Sequence, residues 1–459
     1  MSDESLKPPA VIGVLPLFPE KAASASMIKH ALNVTMQLTQ FLNPGQTSVL
    51  GADQPIYAIA KQLQWTFPDV LGEDKLVLML GALHTEDKIH QIIGKLIRDS
   101  GWATALSQAQ VLTSGRAQSA LDEHHIKRTR YAHQVSLMSL HLLKKRAYSA
   151  YCSEVLEAPQ SQENWDELKR TESPQFKYLS TIMELELLLC RFIRSLREGD
   201  FLLYVQVCDE LCPWFHVMDH THYARWLPVH VRDMVQLAES HPDVHAEFLK
   251  GNFVVQRSTH KFSLIGKDQS HEQSNKNLQA HGGAARLYEN PEALTLYMLT
   301  GPDCSRCVEE FETVLDTPSS STAHHEEAHS LQVKYRKDVL SFVESIEQLG
   351  NPFVAGSELV ALDTQEVMDQ EVVTSLCQVH EISKHLHEQY VEQTLDKATV
   401  PISNTIRRNN ILTFANRPDL SKKCNKASGT QKKNMTLITQ LFLSLQSRPD
   451  ADIEEFFLF

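Results

Sequence analysis

The stretch that most constrains this chain is Thr47-Ser48-Val49-Leu50-Gly51-Ala52-Asp53-Gln54-Pro55, where a short run of strand formers hands a carboxylate to the start of a helix. Pro55 suits a first helical turn, because its missing N–H would have no partner there. The helix predicted over 56–63 leads to a second apolar strand over 75–81, which ends at Leu83-His84-Thr85-Glu86. Two strands joined by a crossover helix imply a parallel pair. In such sheets ligands and catalytic groups gather beyond the carboxyl ends of the strands, where Asp53 and His84 both fall. A third strand end lies far along the chain. A hairpin predicted over 252–256 and 261–265 precedes Asp268-Gln269-Ser270-His271-Glu272-Gln273, which opens a helix.

With 459 residues, two or three domains are expected. No apolar run approaches the ~18 residues that span a bilayer, so no membrane partner is expected. The first residues lack a secretory signal, and the eight cysteines fall mostly in predicted helices. Both point to an intracellular setting with reduced thiols, without separating nucleus from cytoplasm. A formal net charge of −13 argues against a protein that coats nucleic acid and leaves room for a local basic face.

In chain order, 11–18 reads as a buried strand and 22–41 as an amphipathic helix with Met27, Ala31, Val34 and Leu38 on one stripe. Asn43-Pro44-Gly45 stops it. A helix is expected over 88–98, whereas 103–113 fits helix or strand. A long helix follows over 130–151, with Lys127, Arg128 and Arg130 at its start and Lys144, Lys145 and Arg146 further on. These six are the candidate phosphate-backbone contacts, for which DNA is the candidate partner; a solvated face is the simpler reading. Residues 159–172 read as a polar loop with a helical turn or two. The strongest pattern runs over 179–196, where Glu186 is the one polar member of an apolar stripe ending at Gly199. Further helices are expected over 201–211, 293–314 with a break at Gly301-Pro302, 333–349, 371–393 and 434–445. Residues 317–322 have linker composition, and the Lys-rich 421–433 has that of a partly disordered stretch.

Asp53 and Glu272 are the candidate catalytic and metal-binding pair, with His84 beside them. Carboxylates at strand ends can hold Mg²⁺, a hard ion that prefers oxygen ligands. The competing reading makes Asp53 a helix cap, Glu272 a surface residue and His84 a structural histidine. His325-Glu326-Glu327-Ala328-His329 has the H-E-x-x-H spacing of zinc peptidases, but no third ligand follows and the chain holds 22 histidines, so coincidence is the better reading. Cys304 and Cys307 with His324, His325 and His329 imitate a zinc-finger spacing with too long a gap. Cys208 and Cys212 read as packing. The aromatic stretch 213–226 could be a packed turn, in which Asp219 caps the next helix, or a binding element in which Arg225 and Trp226 take a carboxylate or a base. There is no G-x-S-x-G elbow, P-loop or dinucleotide-binding glycine fingerprint.

Asn43-Pro44-Gly45-Gln46-Thr47, Asp53-Gln54-Pro55, Gly81-Ala82-Leu83-His84-Thr85-Glu86, Tyr223-Ala224-Arg225-Trp226 and Asp268-Gln269-Ser270-His271-Glu272-Gln273 occur in this order. Over roughly residues 10–355 the chain resembles a large group of animal proteins derived from DNA transposons. The resemblance implies an α/β plus all-α fold: a small parallel-containing sheet like that of ribonuclease H, a large helical insertion as in hAT-type transposases, and a helical C-terminal region. Its expected divisions are 10–113 for the first part of the core, 114–250 for the insertion, 251–316 for the return with the acidic helix, 317–322 for a linker, and 323–459 for the rest. Asp53 would be the second acidic position and Glu272 the last, holding Mg²⁺ or Mn²⁺ in an intact relative. No counterpart of the first acidic position precedes Asp53 except Asp3, so the expectation is a fragment that lacks an upstream segment and is catalytically incomplete. The alternative is a helical interaction scaffold with no nucleic-acid role.

Overall fold

The computed structural model describes residues 9–10, 24–122, 125–155, 161–258, 262–280, 290, scattered positions between 292 and 314, 328–354, 356 and 358–416. The strand expected at 11–18, the linker 317–322, Cys304, His324, His325, the Lys-rich stretch and the helix at 434–445 lie outside these residues.

Helix α1 (Ala25–Leu42) opens at Ser24, whose hydroxyl accepts from the Met27 N–H, and it buries Ile28 and Leu32. Strands β1 (Ser48–Ala52) and β2 (Leu76–Leu80) pair in parallel, with Ser48 opposite Leu76 and Ala52 opposite Leu80. The crossover is α2 (Gln54–Thr66) followed by the single turn α3 (Pro68–Leu71). All five residues of β2 are buried, as an unbroken Leu-Val-Leu-Met-Leu run requires when both faces of a parallel strand are covered. Among the described residues this layer has two strands, and the rest of the protein is mostly helix. The parallel pair and the large helical content match the reading of the sequence.

Beyond β2 run α4 (Ala82–Ile97), α5 (Trp102–Gln108), α6 (Ser114–Leu121) and α7 (Ile126–Glu154). Then come α8 (Gln162–Glu172), α9 (Pro174–Glu198), α10 (Phe201–Val217), α11 (Thr221–Val235), α12 (Leu237–Ser240) and α13 (Pro242–Leu249). Of the ambiguous stretch 103–113, residues 103–108 lie in helix α5 and 109–112 are turn and bend. The expected loop before Ser173 is instead the regular helix α8: Ser161 caps it by accepting from the Asn164 N–H, and Trp165 is buried on its inner side. Helix α10 continues through Pro213, past the end expected at 211.

The chain returns to the small layer through an antiparallel hairpin, β3 (Val255–Gln256) with β4 (Leu264–Ile265), and enters α14 (Lys267–Ala280). Two later helices pack back on the helical body: α15 (His329–Glu347) against α7, and α16 (Gln370–Tyr390) against α10 and α9. The Tyr131 hydroxyl donates to Asp338 at 2.6 Å, joining α7 to α15. Burying these apolar faces at ~25 cal/mol per Å² is the main stabilising contribution.

Two polar networks are buried in this body. Glu86 on α4 takes a forked contact from the Arg130 guanidinium, one arm at 2.5 Å, and that positive charge holds the carboxyl down at about 2 against the opposing effect of burial. Glu186, the polar member of the α9 stripe, lies 3.0 Å from His133 Nδ1, and the His133 ring is stacked between His90 and Trp102. Burial pushes the Glu186 carboxyl up.

Candidate functional site

The carboxyl ends of β1 and β2, the first turn of α4 and the first turn of α14 meet at one point. Asp53 sits at the N-cap position of α2 yet makes no capping bond with its side chain. Its Oδ1 lies 3.1 Å from His84 Nδ1 instead. Asp268, in the first turn of α14, places Oδ2 at 3.3 Å from the same nitrogen. That oxygen also accepts the backbone N–H groups of Leu83 at 2.8 Å and His84 at 3.2 Å, two donors that α4 cannot satisfy internally. An aspartate there is further stabilised by the positive end of the helix dipole. The Gln269 N–H donates to Asp268 Oδ1 at 2.9 Å, which completes the orientation of the carboxylate.

Close approach at this point depends on glycine. A Cβ on Gly81 would stand 2.7 Å from Asp268 Oδ2, and one on Gly266 would stand 2.9 Å from Oδ1 and 3.0 Å from the Ala82 Cβ. Lys267 points away from the cluster: its Nζ is 3.7 Å from Met79 Sδ and 5.6 Å above the Phe248 ring, and burial lowers its pKa to about 8. It borders a cavity of about 20 Å³ lined by Met79, Tyr204 and Phe253, with room for no more than one water.

The electrostatics follow from the two acids. Hydrogen bonds to Asp268 and then Asp53 raise the His84 pKa to about 10 against the opposing effect of burial, so the ring is an imidazolium at neutral pH. The same contact with His84 is the largest cause of the lowered Asp53 pKa, and the charge of His271 lowers it further. Asp53, His84 and Asp268 form a set whose ligand atoms all lie within 4.8 Å of one another, the one such set of three or more among the described residues.

The carboxylate that joins Asp53 is therefore Asp268, and Glu272 stands one turn further along α14, outside the set. The hairpin's second strand ends at Ile265 and α14 starts at Lys267, so it is the start of the helix that is pressed against α4. A sequence signal for this exists: Gly51-Ala52-Asp53 and Gly266-Lys267-Asp268 share a glycine two residues before the acid.

The other predicted residues lie elsewhere. Arg130 is paired with Glu86, Lys144 with Asp166 and Arg146 with Glu347, while Lys127, Arg128 and Lys145 are exposed. Arg225 donates to the Asn404 carbonyl at 2.6 Å, and Trp226 is buried and stacked on Trp65. Asp219 does not cap α11. Its carboxylate accepts the N–H groups of Asn409 at 2.6 Å and Asn410 at 3.1 Å, so the aromatic turn is a packed junction holding a later segment. The Cys212 thiol donates to the Cys208 carbonyl inside α10, as packing predicts. Of the H-E-x-x-H motif only Ala328 and His329 are described, at the start of α15. Among the described residues no helix is long and apolar enough to cross a membrane.

Fold and site together define a largely helical protein built on a small parallel β-pair, with an Asp–His–Asp cluster at the edge of that pair. Residues 142–459 match the family described as a domain of unknown function, DUF8702, and the chain belongs to that family. The matched stretch begins inside α7; it holds Asp268 but neither Asp53 nor His84. No curated protein and no solved structure matches the chain.

Proposed function

We propose that this protein is a transposon-derived, RNase H-like protein that no longer cuts DNA and serves as a helical interaction scaffold. The observation that carries the reading is the meeting of Asp53 and Asp268 at the carboxyl edge of the β1–β2 pair, with the helices α5 to α13 set between them in the chain. Order of elements and position of the acids both support an ancestral core for polynucleotidyl transfer. The donor set does not fit a pair of Mg²⁺ ions. Such a pair needs several carboxylate oxygens around two hard ions, whereas this cluster offers two carboxylates and one imidazole nitrogen. The scaffold role is supported by the use of Arg130, Lys144 and Arg146 in internal ion pairs, which engages three of the six basic residues and leaves Lys127, Arg128 and Lys145 exposed.

The test is a cleavage and strand-transfer assay on duplex DNA in Mg²⁺ or Mn²⁺, run beside a gel-shift titration at low salt. The expected result is no cleavage and no shift. Metal-dependent cleavage that disappears in Asp53→Asn would overturn the reading, and a salt-sensitive shift would overturn the scaffold part of it.

A further inference from the structure

We propose that Asp53, His84 and Asp268 form a mononuclear site for a borderline-soft divalent cation of the zinc type, in place of two magnesium ions. The inference deepens the reading of the edge cluster and rests on it. The donor chemistry is the first argument: an imidazole nitrogen with two carboxylate oxygens suits zinc, whereas magnesium seeks six oxygens in a near-ideal octahedron. The spacing is the second. Zinc bonds of ~2.0–2.1 Å in a tetrahedron put neighbouring ligand atoms about 3.3 Å apart, and the His84 Nδ1 separations are 3.1 Å to Asp53 and 3.3 Å to Asp268.

The supporting contacts are the third argument. Asp268 is 6 % exposed and is fixed by the N–H groups of Leu83, His84 and Gln269, so one ligand is set before any ion arrives. Asp53 and His84 are 45 % and 38 % exposed, which leaves an entry path and a fourth position open to water. Three segments far apart in sequence supply the ligands: the end of β1, the first turn of α4 and the first turn of α14. On binding, the ion takes the Nδ1 lone pair and the proton there leaves to solvent. The ion then neutralises the two acids as the imidazolium did and ties the three segments together.

The experiment is calorimetric titration of the full chain, stripped with a chelator and dialysed, with zinc chloride and separately with magnesium chloride. Far-ultraviolet circular dichroism establishes that each variant is folded. One zinc per chain is expected at this site, with magnesium at least a hundredfold weaker. His84→Ala and Asp53→Asn should each weaken zinc at least tenfold, and the double variant Cys307→Ser/His329→Ala should leave it unchanged. The proposal is overturned if the wild-type chain takes up no zinc, if both edge variants bind it as the wild type does, if magnesium binds as tightly, or if the Cys307/His329 variant abolishes the binding. Failure here is separable from failure of the scaffold reading: DNA cleavage would end that reading whatever the zinc titration shows, and a missing zinc site would leave the cleavage result untouched.

Discussion

The imidazolium between two acids makes the metal-free protein's stability depend on pH in a definite direction. His84 is raised from 6.5 to about 10 in the folded chain, so it binds its proton more tightly folded than unfolded. Its contribution is therefore fully present below pH 6.5 and is lost as the pH rises through about 10. At ~1.4 kcal/mol per pKa unit, a shift of this size in a dry interior would be worth on the order of 5 kcal/mol. The ring is 38 % exposed, however, and solvent screening reduces the expected effect to about 1–2 kcal/mol. The perturbation is His84→Asn, which removes the titrating group. Urea unfolding of both proteins in chelator should show a wild-type advantage of about 1–2 kcal/mol at pH 6 that shrinks to near zero by pH 10. Other titrating groups, Lys267 among them, are common to both proteins and largely cancel in the difference. An advantage that stays constant across this range, or grows with pH, would refute the reasoning.

Two further substitutions probe how the site is held. Gly81→Ala puts a methyl group 2.7 Å from Asp268 Oδ2, and displacing that carboxylate from the start of α4 should cost about 2 kcal/mol in unfolding free energy and weaken its hold on His84; an unchanged stability would contradict the close approach. Lys61, buried in α2, bridges Glu73 at 2.5 Å and Asp233 at 2.6 Å. Lys61→Met leaves Arg232 as the remaining cation for both acids, at 2.8 Å from Glu73 and 2.7 Å from Asp233, so denaturant unfolding should show a loss of about 1–2 kcal/mol, below the range for a broken buried pair; an unchanged stability would contradict the bridge.

What could be read from the sequence was what repeats over short range. The Leu76–Leu80 run, the Pro55 start of α2 and the three-and-four spacing of α9 are local patterns, and the structure follows them. Helix α8 escaped because its exposed face is almost wholly polar and only Trp165 is driven inward. Partner choice over long range was not legible. Nothing near Asp219 shows that its carboxylate holds Asn409 and Asn410, and nothing near Lys144 points to Asp166. At the site, the acid-bearing stretch 268–273 was found, but resemblance favoured Glu272. The choice of Asp268 follows from sterics: Gly81 and Gly266 admit a carboxylate at the helix start, and the hairpin delivers the first turn of α14 there.

The central claim is that two acids 215 positions apart in the chain close on one imidazole. The most direct measurement is the titration of the His84 ring by nuclear magnetic resonance in histidine-labelled protein, its signal assigned by absence in His84→Asn. The account predicts a midpoint far above 6.5 that falls in Asp53→Asn and again in Asp268→Asn. An ordinary midpoint, unmoved by either substitution, would contradict it.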